Sequence, residues 1–244
     1  MTETLAANDI AGLRRTISGV DTIDDPQLVR LKSRDFFWYS PILKAELNKK
    51  SAELIVVPKD QDEALRVIGA CAQHRVPLVV RGGGTGKYGQ LVPLKGGVIL
   101  DTAKLNRTVF LKPGVGRFES GANLIEVDRQ ARTIGWEMRM HPSTKRMSSI
   151  GGFVCGGAAG IGSVMTGQLR DWGTIPGVRV ATCEPKPRVF DFRGRDVAAA
   201  THAYGTTGVV LEVEMALAPA YPWYDSVVAF DDFMDAARFG QALG

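Results

Sequence analysis

Hydrophobic positions in this chain fall into short runs broken by glycine and proline, not into long periodic stretches. Glu53 to Val57 is a β-branched run stopped by Pro58 and predicts a strand. Asp60 then stands where a side-chain oxygen can cap a helix whose apolar positions Ala64, Leu65, Ile68, Cys71 and Ala72 recur at helical spacing. Pro77 to Arg81 predicts a second strand. The resulting strand–helix–strand unit runs straight into Gly82-Gly83-Gly84-Thr85-Gly86-Lys87-Tyr88-Gly89.

Beyond that loop, strands are predicted at Gly97 to Asp101 and Val109 to Leu111. A helix is predicted over Gly121 to Gly135, with Leu124, Val127, Ala131 and Ile134 on one face. The polar turn His141 to Arg146 leads into a second glycine-dense segment, Ser148 to Gly162. Strands at Gly177 to Thr182 and Val189 to Phe192 follow, then a helix near Asp196 to Tyr204. A long strand, Gly208 to Leu217, alternates Val209, Leu211, Val213 and Met215 against Val210, Glu212, Glu214 and Ala216, and stops at Pro219. After the linker Pro219-Ala220-Tyr221-Pro222, Ser226 to Phe230 predicts a strand. Asp231-Asp232 supplies cap oxygens for a helix with Phe233, Ala236, Ala237 and Gly240 on one face. A lone strand–helix unit cannot bury its apolar face by itself, so it is expected to pack on the main body, on another chain, or on residues beyond this sequence.

Composition narrows the class. The chain has 244 residues, 45% hydrophobic and 23% charged, with mean hydropathy −0.02, which fits a folded chain of one large or two modest domains. Thirty Lys and Arg against 26 Asp and Glu leave 30 − 26 = +4, with no basic block of the kind that tracks a nucleic-acid backbone, so no nucleic-acid partner is expected. Cys71, Cys155 and Cys183 form no CxxC, and His74, His141 and His202 are scattered, so neither a disulfide framework nor a metal site is expected. Met1 to Asp9 carries Glu3 and Asp9 and does not read as a secretory leader. No apolar run approaches the roughly 20 residues of a membrane helix. A cytoplasmic location is the expectation.

Glycine is the anomaly, at 28 of 244 residues against a usual share of about 7%. Clustered glycines let backbone N–H groups approach an anion closely, so the loop at Gly82 to Gly86 is a phosphate-binding candidate. It is not a Walker A loop, because Arg81 stands five residues before Gly86 and Tyr88 follows Lys87. Gly84 to Gly89 matches GxGxxG, yet that fingerprint must open a helix, and Gln90 to Gly97 contains Pro93 and a glycine pair. A plain turn is the remaining alternative, although four glycines within five residues cost much chain entropy for a turn.

Arg81-Gly82-Gly83-Gly84-Thr85-Gly86 with Gly89, followed by Gly97 to Asp101 and Leu105-Asn106, resembles the first half of the FAD-linked oxidases. This is the vanillyl-alcohol oxidase and p-cresol methylhydroxylase type of flavoprotein, which includes glycolate oxidase and D-lactate dehydrogenase flavin subunits. Further matches come in order at Pro113-Gly114, Pro142-Ser143, Ser149 to Gly152, Ala158 with Gly160, Gly167, Arg170-Asp171, and Gly205-Thr206 leading to Gly208-Val209-Val210. The resemblance implies an α+β fold with FAD extended between two lobes. Gly82, Gly83, Gly84, Thr85 and Gly86 would hold the diphosphate through backbone amides, and Arg81 would orient the loop. Gly89, Gln90, Pro142, Ser143, Ser149, Ile150, Gly151, Gly152, Gly156, Ala158 and Gly160 would line the cofactor channel. Gly208 and Val209 would contact nucleotide or flavin. On this basis residues 1–46 are an N-terminal extension, 47–219 the FAD-binding domain with lobes 47–106 and 107–219, and 220–244 the start of a truncated cap domain.

The sequence also departs from the family. Thr85 stands where many relatives carry a His that ties the flavin covalently, so noncovalent FAD is implied. Gly157, Ala159 and Met165-Thr166 replace polar residues usual in relatives of the glycolate-oxidase type. No catalytic residue is assigned, His141, Asp171 and His202 being read as structural. Tyr88 and Trp172 are read as packing near cofactor or in core or rim. The implied function is the FAD-binding domain of an oxidoreductase acting on a 2-hydroxy acid or alcohol, incomplete for catalysis alone and completed by a partner chain or missing C-terminal domain. The alternatives are a non-catalytic FAD-binding or assembly subunit, and a phosphate-binding module for another nucleotide.

Overall fold

The computed structural model describes residues 8–243. Most of the segment read against a leader, residues 1–7, and Gly244 at the end of the expected cap piece lie outside the described residues. Helix α1 (Ile10–Thr16), strand β1 (Asp21–Ile23) and helices α2 (Pro26–Lys32) and α3 (Pro41–Leu47) come first. Asp9, Asp25 and Ser40 cap the three helices with side-chain oxygens, and α2 and α3 both begin with proline.

The unit predicted around the first glycine loop is present. Strand β2 (Leu54–Val57) leads into α4 (Gln61–Gln73), whose Glu63 N–H donates to the Asp60 carboxylate at 2.9 Å, and then into β3 (Leu78–Arg81). Strand β4 (Val98–Asp101) lies between β2 and β3, parallel to both, and β1 adds antiparallel to β2, so the sheet order is β1-β2-β4-β3. Residues near the N-terminus therefore complete the first lobe's sheet. A fully buried layer of Leu54, Val56, Val98 and Leu100 packs with Ala64, Val67 and Ile68 of α4, with Leu13 of α1 and with Ile17 just after it.

The second lobe is built on β5 (Thr108–Lys112), β6 (Val115–Glu119), α5 (Leu124–Arg132), β7 (Trp136–Met138), α6 (Ile150–Gly156), α7 (Ser163–Thr166), β8 (Gly177–Ala181), β9 (Val189–Arg193) and β10 (Val209–Pro219). Its sheet runs β5-β6-β10-β8-β9, with β7 on the far end of β10. Phe118, Val178, Val213 and Met215 form its core together with Leu124 and Val127 of α5 and Ile150, Phe153 and Val154 of α6. Helix α5 is shorter than predicted, because Asn123 caps Ile125 and Gly135 turns at positive φ, which leaves Ile134 40% exposed.

Three expectations change. The alternation in β10 does not divide core from solvent, since Glu212 and Glu214 are only 7% and 8% exposed, each paired with arginines of neighbouring strands. The helix expected near Asp196 to Tyr204 is a short 3-10 helix, Gly194–Ala199, after which His202, Tyr204 and Gly205 take left-handed conformations that no helix continues. Ser226 to Phe230 forms no strand and pairs with none among the described residues, and Val227 is 98% exposed. The helix after it, α8 (Phe233–Leu243), does form behind the Asp232 cap, yet none of its residues is buried.

Candidate functional site

The end of β3 carries the first glycine loop to the start of α6, where the second glycine segment begins. A methyl group added to Gly82 would come within 2.1 Å of the Ser149 hydroxyl, and one added to Gly83 within 2.0 Å of the Met147 carbonyl oxygen. At Gly83 the obstacle is backbone, which explains the residue type there, whereas at Gly82 it is the Ser149 side chain. Thr85 Oγ1 lies 3.1 Å from Ser148 Oγ, which in turn lies 2.9 Å from Thr144 Oγ1, so a chain of hydroxyls joins the two segments.

The N–H groups of Gly82 to Gly86 find no acceptor among the described residues. Five successive unpaired donors on a loop with no side-chain bulk suit an anion such as a diphosphate. The N–H groups that open α6 are already taken, Ile150 donating to the Ala122 carbonyl at 2.9 Å, Gly151 to the Ser120 carbonyl at 2.8 Å and Gly152 to the Ser149 hydroxyl at 3.2 Å. The free donors belong to the first loop, and α6 supplies the wall facing it.

From behind, the loop is fastened to the N-terminal segment. The Arg81 guanidinium lies under Gly84 and donates to the carbonyls of Lys32 at 2.7 Å and Arg34 at 2.9 Å, and the Phe36 N–H donates to the Gly86 carbonyl at 2.8 Å. Burial lowers the Arg81 pKa, with Asp101 and Asp35 opposing the shift. Asp35 accepts from the Phe37 N–H at 2.9 Å, and burial raises its carboxyl. Asp35 is a residue the sequence reading missed, since an isolated Asp in a polar stretch carries no local signal.

Two adjoining cavities run along the seam. The first, about 300 Å³, is lined by Gly82, Gln90, Gly151, Gly152, Gly208 and Val209 among the expected residues. The second, about 260 Å³, is lined by Thr85, Gly86, Pro142, Ser143, Gly156 and Ala158, and shares Gln90, Gly152 and Tyr204 with the first. Gly83, Gly84 and Arg81 lie on the outer flank of the loop, and Ser149 on the opposite side of the Gly82 contact. Gly89, Ile150 and Gly160 stand back from both cavities. Gly89 turns beside Leu47, the Ile150 side chain is wholly inside the second core, and Gly160 backs onto the His141 carbonyl.

Thr102, Ser120, Cys155, Cys183 and Tyr204 also line the cavities, although the sequence reading assigned them no contact there. Tyr204 and Cys155 carry a local signal, each standing next to a glycine of a quoted segment. Burial pushes the Cys155 thiol up to about 11. Tyr88 lines the second cavity, whereas Trp172 is 75% exposed and lines neither. His141 pairs with Ile161 through backbone, and Asp171 accepts from the Gln168 N–H at 2.7 Å. His202 packs on Gly157, where any Cβ would meet the His202 side chain.

The turn bearing Pro142 and Ser143 is held by Asp128. Its carboxylate accepts from the Met138 N–H at 2.9 Å, Lys145 Nζ at 2.9 Å and Arg132 Nε at 3.2 Å. Burial works to raise this carboxyl, but the Met138 amide, Lys145 and Arg132 outweigh it, and the pKa lies below the usual 3.8. The resulting stability is fully present above the unfolded value and is lost as pH falls through the folded one. Asp128→Asn is expected to lower stability at pH 7 by about 1–3 kcal/mol and to flatten the acid limb of Tm against pH. An unchanged acid limb would refute this role.

Among the described residues, no group of His, Cys, Asp and Glu could hold a metal ion, and no helix is long and apolar enough to cross a membrane. The unpaired amides, the close backbone approach at Gly83 and two joined cavities fit an extended dinucleotide. Comparison with known proteins agrees. The glycolate oxidase subunit GlcD of Bacillus subtilis (strain 168) is 26% identical over 194 residues, 76% of this chain and 41% of that protein. GlcD of Escherichia coli (strain K12) is 28% identical over 200 residues, 78% of this chain and 39% of that one. The mitochondrial D-2-hydroxyglutarate dehydrogenase of Arabidopsis thaliana is 26% identical over 180 residues, 73% of this chain and 30% of its own. The chain thus spans about two fifths of the GlcD proteins. A solved structure of alkyldihydroxyacetonephosphate synthase shares the fold, with TM-score 0.72 and 17% identity over 85% of this chain and 40% of that one. The sequence pattern of the FAD binding domain matches residues 52–186, more than half the chain, and the chain belongs to that family, with FAD as its cofactor.

Proposed function

We propose that residues 47–219 hold FAD noncovalently along the seam between the lobes, and that the chain is the cofactor-binding part of an FAD-dependent oxidoreductase acting on a 2-hydroxy acid. The observation that carries this reading is the meeting of two distant glycine segments along one seam, with five successive unpaired amides on the first of them. The amides of Gly82 to Gly86 donate to the diphosphate, Arg81 holds the loop from behind, and Gly208 and Val209 border the first cavity. Pro142, Ser143, Gly156 and Ala158 border the second. Thr85 offers no imidazole for covalent attachment. When bound, FAD supplies the acceptor for a hydride. The names of the relatives, which include D-lactate dehydrogenase as well as glycolate oxidase and D-2-hydroxyglutarate dehydrogenase, support a 2-hydroxy acid as hydride donor.

The purified chain is expected to show the yellow flavin absorbance or to gain it on incubation with FAD. Absence of both overturns the reading. Bleaching by a panel of 2-hydroxy acids, tested on this chain and on any longer gene product, checks the activity. A second reading, a non-catalytic FAD-binding or assembly subunit, is favoured by the uncovered aromatic and apolar side chains from Tyr224 to Phe233, of which Tyr224 is 93% exposed. Under either reading residues 220–244 begin a cap unit that another domain or chain covers.

Gly156 offers a probe of the slot. A Cβ there meets nothing within 4 Å, and the residue lines the second cavity. Gly156→Leu is expected to weaken FAD binding by at least about tenfold, a loss of roughly 1.4 kcal/mol, with Tm unchanged. A tight Kd in the variant would place the cofactor elsewhere.

A further inference from the structure

We propose that Asp35 is a positioning residue for cofactor binding: from the segment between α2 and α3 it holds the far end of the first glycine loop, Gly86 to Leu91, so that the Gly82 to Gly86 amides stay aimed at the diphosphate. The role rests on the FAD reading above. It brings into the cofactor machinery a residue outside the 52–186 stretch that carries the FAD binding pattern.

Asp35 is 4% exposed. One carboxylate oxygen, Oδ1, accepts from the Phe37 N–H at 2.9 Å and so is tied to its own segment. The other, Oδ2, lies against the loop, 3.0 Å from where a Cβ on Gly86 would stand. The neighbouring Phe36 N–H donates to the Gly86 carbonyl at 2.8 Å, so the same segment meets Gly86 twice. Past Gly86 the chain turns at Gly89, which has φ +78°. The N–H groups of Gly89, Gln90 and Leu91 find no backbone acceptor among the described residues. Burial raises the Asp35 carboxyl, and the amides of Phe37, Gly89, Leu91 and Gln90 act against that shift. Three consecutive amides turned on one carboxylate form a small anion nest. Oδ2 nevertheless closes no full hydrogen bond among the described residues.

A buried carboxylate is costly, and packing alone would be served by a neutral side chain. Its charge also opposes a nearby diphosphate, so electrostatics alone would favour its removal. What the carboxylate adds is an acceptor for the far end of the loop. The near end is already fixed, since Arg81 donates to the carbonyls of Lys32 and Arg34. The five free amides therefore lie between two ends fastened to one segment.

Asp35→Asn in the full chain keeps the volume and an acceptor for Phe37 but turns a donor toward the three amides. Its Kd for FAD is expected to rise about tenfold, whereas loss of the charge alone would tighten binding. Hydrogen exchange read by NMR at saturating FAD is expected to show weaker protection of the Gly82 to Gly86 amides in the variant than in the wild type. Coupling is reciprocal, so FAD added to the wild type is expected to slow exchange at Gly89, Gln90 and Leu91, a measurement that needs no variant. A folded Asp35→Asn with equal or tighter Kd overturns the proposal and leaves the FAD reading intact. So does a weaker Kd with full protection of Gly82 to Gly86 at saturation, which marks a merely structural role, and so does a wild type that binds FAD with no change at Gly89 to Leu91. A wild-type chain that binds no FAD overturns the FAD reading as well.

Discussion

Gly83→Ala is expected to abolish FAD retention. The added methyl would lie 2.0 Å from the Met147 carbonyl oxygen and 3.0 Å from the Ser148 Cα, and both obstacles are backbone, so no side-chain rotation relieves the clash. Either the loop lifts away from the start of α6 or the Met147 turn moves. Overpacking of this kind costs about 1–3 kcal/mol of stability. The cofactor loses more, because a displaced loop misaligns its amide donors. Two lost hydrogen bonds to a charged phosphate, at about 1.5–3 kcal/mol each, correspond to a fall in affinity of roughly 100-fold or more. Fluorescence titration with FAD, beside a thermal melt of the apo protein, separates the two effects. A Kd within threefold of wild type would show that the loop does not contact the cofactor.

The second large effect is on stability. Arg117→Ala is expected to destabilise the second lobe by about 3–5 kcal/mol, the usual cost of breaking a buried ion pair from one side. Arg117 in β6 bonds Glu212 at 2.5 Å, bonds Asp191, and lies 3.7 Å from Glu214. Truncation leaves the Glu212 carboxylate, 7% exposed, without its nearest cation. Because β10 opens with Val209 on the cofactor cavity, FAD affinity should fall with the fold. Arg129→Ala is the control. Its partner is Glu126 on the exposed face of α5 and both side chains are well solvated, so a change of no more than about 0.5 kcal/mol is expected. Chemical denaturation of both variants decides the matter, and similar losses in the two would mean that the buried ladder carries no special weight. Arg117→Met combined with Glu212→Gln should recover part of the loss, since it removes both charges together.

Much of the first lobe was readable along the chain because its signals are local. The Pro58 stop, the Asp60 cap and the apolar spacing of α4 each act within a few residues, and the structure contains all three where expected. In the second lobe, β6 and β7 went unseen. Gly116 interrupts one and the other has three residues, and both exist because β10 offers them an edge. The strand expected at Ser226 to Phe230 is the converse case, with suitable residues but no neighbouring strand.

By itself the sequence determined that the chain carries two glycine-dense segments, in an order that resembles the FAD-linked oxidases. Only the tertiary structure decided that Arg81 ties the first loop to the carbonyls of Lys32 and Arg34, that the free amides belong to that loop and not to α6, and that Ser120 Oγ is buried without a hydrogen-bond partner among the described residues. The physical reason is reach. Turn and cap preferences depend on neighbours in the chain, whereas a hydrogen bond between Arg81 and Lys32, or the lack of one at Ser120, depends on segments that meet only when both lobes have packed.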